Sequence, residues 1–191
     1  MEITTMFAMA ALAAVPAQAR KTEQPLGTSV TACVDMGPQI MLGYQAEAIA
    51  GRMFAQAGVE LKWRPSWSSC PADAIRIAFT INTPVNYFPG ALAFSQPYEG
   101  VHIRIFLDRV KETVEPGKVP CLLAHVMAHE ITHMLQGVSR HSLTGVMKPR
   151  WDQGDYAQMA WRPLEFTKGD IILMQLGIKA RASRRYLAHY P

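Results

Sequence analysis

The chain has 191 residues, which is enough for one domain with its own hydrophobic core. Hydrophobic residues make up 49% and charged residues 18%, a balance that excludes a wholly disordered chain. The formal net charge is +4. A group of cations near the C-terminus is interpreted as a solvated helix face, so no nucleic-acid partner is expected. These cations are Lys168, Lys179, Arg181, Arg184 and Arg185.

Residues 1–19 have the pattern of an export signal. An apolar run from Met6 to Val15 is too short to cross a bilayer as a helix. Pro16 and then small residues follow it, as a signal peptidase site requires, although the start carries Glu2 and no cation. We therefore expect a cleaved signal peptide over 1–19 and a single domain over 20–191. The mature protein would be secreted or periplasmic, without stable membrane insertion.

Three cysteines bear on the redox compartment of the protein. Export permits one disulfide, and we expect it to join Cys33 to Cys70. Cys121 is then left over, at the start of a predicted helix, where we interpret it as a core residue. No two cysteines are close in sequence, which excludes a cysteine-based zinc knuckle.

The first part of the mature chain alternates between strand and helix patterns. A β-rich stretch predicts a strand over Ser29–Asp35, and Pro38 then begins a helix that runs to about Ala57. Gly58 is placed to end that helix. Further strands are predicted over Val59–Arg64 and Ile75–Ile81, because apolar residues alternate there between turn-rich segments.

The second part continues with short strands and two longer helices. A loop over Asn82–Gly90 precedes a short apolar stretch, Ala91–Ser95, which is typical of an edge strand. Val101–Leu107 alternates between two faces and predicts another strand. One helix is predicted over Pro120–Gln136 and a final helix over Thr167–Ala182. The order of these elements indicates a single α/β unit.

The string His129-Glu130-Ile131-Thr132-His133 lies inside the first of these helices. Residues four apart project from one helix face about one turn apart, so His129 and His133 can reach the same ion. Glu130 is turned by about 100° relative to His129, where its carboxylate can contact water without displacing a ligand. Two histidines with an adjacent glutamate are the pattern of a zinc site with a general base.

A catalytic zinc normally has a third protein ligand and one open position. His125 extends the four-residue spacing, but it lies about 12 Å along the helix axis from His133, too far to share one ion. His141 is the preferred third ligand, because Gly137 can end the helix in a left-handed conformation and let the chain fold back. Weaker acidic alternatives are Asp152, Asp155 and Glu165.

From about residue 125 to residue 151 the sequence resembles the metzincin zinc peptidases. The features that carry the resemblance are the His-Glu-x-x-His string, Gly137, a third histidine at His141, and the segment Gly145-Val146-Met147. Small uncharacterised bacterial metzincin-like proteins are especially similar. The spacing differs from the usual pattern, since Gln136 stands where the family has its glycine and Ser139 where it has its third histidine. The loop before His141 is therefore longer.

The resemblance implies a zincin fold of the α/β (α+β) class. Its parts would be a mixed twisted sheet with an edge strand over the cleft, an active-site helix, a Met-turn and a C-terminal helix. It also implies that Zn²⁺ is held by His129, His133 and His141, with Met147 in the Met-turn as an apolar floor beneath them. Gly90–Pro97 would form the upper rim of the cleft and pair with an extended substrate.

These features lead to the hypothesis of a zinc-dependent hydrolase, a metallopeptidase in which Glu130 activates a zinc-bound water to cleave a peptide or protein substrate. Trp151 and Tyr156 would line the pocket. Two alternatives stay open at this point. One is a zinc-stabilised binding module without catalysis, whose closed site would need a fourth protein ligand. The other is a three-histidine metal-dependent ribonuclease, against which Glu130 and the export signal argue.

Overall fold

The structure is a computed structural model that describes residues 28–189, with side chains up to residue 183. The expected signal peptide over 1–19 lies outside these residues. Within the described part of the chain, no helix has the length and apolar character needed to cross a membrane.

Five α-helices and five β-strands follow one another in the described residues, with a short 3-10 helix over Pro116–Lys118. In chain order they are β1 (Thr28–Asp35), α1 (Ile40–Gln56), β2 (Val59–Pro65), β3 (Ile75–Thr80), β4 (Ala93–Ser95), β5 (His102–Phe106), α2 (Leu107–Thr113), α3 (Val119–Gln136), α4 (Gln153–Trp161) and α5 (Lys168–His189). All the predicted strands and the three predicted helices are present. The sequence patterns did not predict α2 and α4, which have only 7 and 9 residues and so too few turns to show a clear helical period.

The five strands form one mixed sheet in the order β2-β1-β3-β5-β4. The pairs along it are parallel except the last, in which β4 runs antiparallel to β5. Ile77 pairs with Ile103, and both are buried, whereas Arg76 and Arg104 on the other face are exposed. Because β4 is the last strand in this order and pairs only with β5, it is an edge strand, as the sequence predicted. The mixed sheet with its helices confirms the predicted fold class.

One detail of β5 differs from the alternation in the sequence. Strict alternation puts Phe106 on the face opposite Ile103 and Ile105, yet all three residues are buried. The reason is that Phe106 is the last residue of the strand and the N-cap of α2, where its backbone leaves the extended region. Its ring packs on that of Tyr87, with 4.6 Å between the ring centroids.

Helix α3 is the centre of the core. Fourteen of its 18 residues are buried, so it is apolar on nearly all sides, and α1 and α5 pack against it. Helix α5 approaches α3 so closely at Gly177 that an added Cβ would overlap the carbonyl oxygen of Leu135. Each fully buried leucine of α3, such as Leu122 or Leu123, contributes about 1.5–3 kcal/mol. Core packing therefore fixes the helix that carries the histidine motif.

A disulfide joins Cys33 on β1 to Cys70 in the loop after β2, as the sequence predicted. The two half-cystines are separated by 37 positions, and their Cα atoms are 6.4 Å apart. Cys121 is a free, partly buried thiol in the first turn of α3. The bridge attaches a turn-rich loop to the middle of the sheet.

Candidate metal centre

The structure brings together His129, His133 and His141, the three histidines that the sequence nominated. One ring nitrogen from each lies within 4.8 Å of those from the other two. The ring centroids are 4.7, 5.2 and 4.9 Å apart for the three pairs. Among the described residues, no other group of three histidine, cysteine or carboxylate side chains is placed to share a metal ion.

Backbone carbonyls orient the two helix histidines. The Nδ1 of His129 lies 2.8 Å from the carbonyl oxygen of Val146, and the Nδ1 of His133 lies 3.1 Å from that of Val138. Because a carbonyl can only accept, we assign the proton of each ring to Nδ1, which leaves a lone pair on Nε2. The two Nε2 atoms are 3.0 Å apart and face each other. A bound cation would use both lone pairs.

The protonation of these rings also suits a metal. Burial lowers the pKa of His129 to about 4, and burial together with the charge of His129 lowers the pKa of His133 to about 4. Both imidazoles are therefore neutral at pH 7, which is the form that binds a metal. His141 is exposed and completes the set from the loop side.

A tight turn after α3 presents His141. Gly137 ends the helix with φ of 69°, in the left-handed conformation that the sequence predicted. The chain then folds back, and the backbone N–H of Ser142 donates to the carbonyl of Met147. Met147 is fully buried next to Val146, whose carbonyl receives the His129 ring. The segment around Met147 therefore contacts the metal-site histidines through its backbone.

Glu130 lies in the same cleft as the three histidines. Its carboxylate accepts a short hydrogen bond from the hydroxyl of Ser95, which lies on the edge strand β4. Burial raises the pKa of Glu130, while the Ser95 hydroxyl and the nearby histidines oppose that effect. The edge strand is thus connected directly to the carboxylate that the sequence proposed as the general base.

The remaining metal-ligand candidates have other partners. His125 is fully buried, with Nδ1 2.6 Å from the carbonyl of Cys121 and Nε2 accepting the backbone N–H of Leu164 at 2.9 Å. Asp152 and Asp155 form a capping box at the start of α4, and each is 2.6 Å from the ammonium of Lys148.

Glu165, the third acidic alternative, has a side chain that is 72% exposed. Its contribution near the centre is a backbone carbonyl that accepts the N–H of Val146. None of the acidic alternatives joins the three histidines.

The centre opens into a cleft of about 570 Å³. Gly90, Ser95 and Pro97 line it, and so do Trp151 and Tyr156. The edge strand with its flanking turns and the segment after Met147 therefore both contribute to the cleft. An extended ligand in this cleft would lie along β4, whose outer edge has no strand partner among the described residues.

The comparison with known proteins identifies the fold. No family model and no curated protein matches the sequence. Among solved structures, the crystal structure of archaemetzincin from Methanopyrus kandleri superimposes with a TM-score of 0.52 at 16% sequence identity. The match covers 82% of this chain and 99% of that one. The fold is archaemetzincin-like. At this identity the likeness concerns the fold alone, and it agrees with the mixed α/β architecture that the resemblance implied.

Two side chains that contact residues of the centre were not predicted from the sequence. Ser95 contacts Glu130 across 35 positions, and Asp170 contacts Ser142 across 28 positions. No local pattern marks either contact. Asp170 does carry one signal, because Thr167 and Asp170 have the spacing of a helix N-cap and its third residue.

Proposed function

We propose that this chain is a zinc-dependent hydrolase in which His129, His133 and His141 hold the metal. The observation that carries the proposal is the convergence of three imidazole nitrogens beside a partly buried carboxylate, Glu130. Three nitrogen donors fit zinc and leave one position of a tetrahedron open, as catalytic zinc sites require. The neutral rings of His129 and His133, with their lone pairs turned inward, fit a divalent cation.

The residues of the chain divide the chemistry among them. When bound, zinc supplies a Lewis acid that polarises a carbonyl and lowers the pKa of water. Glu130 accepts a proton on its carboxylate and returns it to the leaving group. The Ser95 hydroxyl holds that carboxylate in place. The carbonyls of Val138 and Val146 keep the rings of His133 and His129 in the ligating tautomer.

Within this class, we propose peptide bonds as the substrate. The support is the free edge of β4 beside the centre, because an extended peptide can add to a sheet edge through main-chain hydrogen bonds. A cleft of about 570 Å³ has room for a few side chains on either side of the reacting bond. The archaemetzincin-like fold is consistent with this choice.

The test compares Glu130→Gln with the parent protein on casein and on a mixture of quenched fluorescent peptides. We expect hydrolysis to fall by at least about 100-fold, because general acid–base catalysis contributes that much, while the zinc content stays near one per chain. Glu165→Gln is the matched control, since that side chain is 72% exposed and should leave activity unchanged. Full activity in Glu130→Gln would refute the mechanism.

The same purified protein can be used to test the two alternatives, a zinc-stabilised binding module and a ribonuclease. A zinc-stabilised binding module would need a fourth protein ligand, and among the described residues only three side chains share the centre. A ribonuclease would need a cationic surface beside the centre. Lys148 and Arg150 line the cleft, but Lys148 is paired with Asp152 and Asp155. Cleavage of RNA without cleavage of any peptide would replace the peptidase proposal.

A further inference from the structure

The three histidines of the centre are restrained in different ways. His129 and His133 lie on the core helix α3, and a backbone carbonyl holds the Nδ1 of each. His141 is exposed, and its ring nitrogens make no hydrogen bond within the described residues. The position of the His141 ring therefore depends on the backbone that carries it, which we call the His141 loop (residues 138–142).

The His141 loop is held from outside by Asp170. One carboxylate oxygen, Oδ1, accepts the hydroxyl of Ser142 at 2.6 Å and the guanidinium of Arg140 at 3.3 Å. These two residues flank His141 on both sides in the sequence. Among the described residues, the hydrogen bonds that fix residues 139–141 go through these side chains and not through the backbone. Asp170 thus holds the loop on both sides of the histidine.

Asp170 is itself rigidly placed. Its other oxygen, Oδ2, accepts the backbone N–H of Thr167 at 2.9 Å and its hydroxyl at 2.7 Å, while the N–H of Asp170 donates back to that hydroxyl. This reciprocal cap fixes the start of α5, which packs on α3. The side chain of Asp170 is 0% exposed, and its four acceptor positions are all used. A buried carboxylate with every acceptor occupied has one stable orientation.

We propose that Asp170 is the positioning residue of the third metal ligand, and that it sets the affinity of the centre by holding the His141 loop against α5. This inference rests on the proposed function, because it takes His141 to be a ligand. It also explains how a loop longer than the usual metzincin spacing presents a histidine beside His129 and His133. The extra length is compensated by the bonds from Arg140 and Ser142 to Asp170.

The experiment is a double-mutant cycle read out as zinc affinity, measured by competition with a chromophoric chelator. The four proteins are the parent, Asp170→Asn, His141→Ala and the double variant. Asparagine keeps the size of the side chain but replaces one acceptor oxygen with an amide donor. It therefore cannot accept from both the Thr167 N–H and the Arg140 guanidinium, and the ion pair with Arg140 is lost. When His141 is present, we expect Asp170→Asn to raise the zinc dissociation constant by about 10–100-fold relative to the parent protein. In the His141→Ala background the same change should have an effect of less than about threefold.

Two control variants separate positioning from general loss of stability. Asp108→Asn is the matched control, because Asp108 also accepts a threonine N–H and hydroxyl, at 2.8 and 2.6 Å, but at the start of α2. It should lower the unfolding temperature and leave zinc affinity unchanged. Ser142→Ala removes a single bond to Asp170 and serves if Asp170→Asn does not fold. We expect it to weaken zinc binding about tenfold, again only when His141 is present.

The outcomes distinguish the two proposals. If the parent protein binds no zinc, the proposed function fails and this inference fails with it. If the parent binds zinc but Asp170→Asn weakens it equally with and without His141, the centre stands and the positioning role is refuted. Unchanged zinc affinity in both folded Asp170→Asn and Ser142→Ala would refute it as well.

Discussion

Replacing Gly145 by alanine tests whether the turn below the histidines is as tightly docked as the structure indicates. Gly145 has φ of +76°, and a Cβ at this position would lie 2.1 Å from the carbonyl oxygen of Glu165. The next residue, Val146, donates its N–H to that same oxygen at 3.1 Å and accepts the His129 ring at 2.8 Å. Any shift that makes room for the new methyl group therefore moves a residue that orients a metal-site histidine.

The expected loss of stability is the sum of two free-energy costs. An alanine in the left-handed region costs about 1–2 kcal/mol relative to glycine. Moving two backbone segments apart by about 1 Å to relieve the contact with Glu165 costs about 1–3 kcal/mol, as for other overpacked sites. We expect Gly145→Ala to lower the free energy of unfolding by about 2–5 kcal/mol. Zinc affinity should fall on the order of tenfold, since the carbonyl that holds His129 is displaced.

Stability is measured by urea denaturation after a chelator has removed the metal. Zinc affinity is measured on the folded protein by competition with a chromophoric chelator. Gly58→Ala is the matched control, because Gly58 has φ of +75° with no atom within 4 Å of the added methyl. It should cost only the backbone strain, about 1–2 kcal/mol, and leave zinc affinity unchanged. If Gly145→Ala is no more destabilising than Gly58→Ala, the reasoning about the turn is wrong.

Three further predictions concern other parts of the molecule. Ser95→Ala should lower kcat for peptide hydrolysis on the order of tenfold with KM nearly unchanged, because it removes a hydrogen bond to the Glu130 carboxylate; a change confined to KM would contradict this. Burial raises the pKa of Glu47 to about 7 from 4.5, so its ionisation destabilises the folded state as pH rises between these values. Glu47→Gln should therefore raise stability at pH 8, on the order of 2 kcal/mol, and leave it unchanged at pH 4 in urea titrations. Removing the disulfide with Cys33→Ala/Cys70→Ala should lower the free energy of unfolding by about 4 kcal/mol, the loop-closure value for a separation of 37 residues; equal unfolding midpoints would contradict it.

Local patterns in the sequence predicted most of the sheet and the motif helix. Alternation predicted the strands β3 and β5, in which Ile77 and Ile103 are buried, and helical spacing placed His129 and His133 on one face of α3. The rise along a helix excluded His125 from sharing an ion with His133, and its ring nitrogens are within hydrogen-bond distance of Cys121 and Leu164. These predictions succeeded because each depends on residues within a few positions of one another.

The contacts that complete the centre depend on chain segments far apart in sequence. Ser95 reaches Glu130 because the edge strand folds over α3, and Asp170 reaches Ser142 because α5 packs beside it. Neither contact can be predicted from residue spacing within a single helix or strand. Asp152 and Asp155 are possible metal ligands by sequence, but their spacing is equally that of a capping box, and α4 starts there. A helix of 9 residues offers little other signal.

The division of the three histidines between a core helix and a surface loop has a kinetic consequence. Fourteen of the 18 residues of α3 are buried, so its amide hydrogens exchange with solvent only when the domain opens as a whole. The exposed residues 138–141 can open locally at much lower free energy. In the proposed centre, His141 is then the first ligand to detach and the last to bind. The lifetime of the bound ion would be set by the opening of a few loop residues, far shorter than the lifetime of the fold.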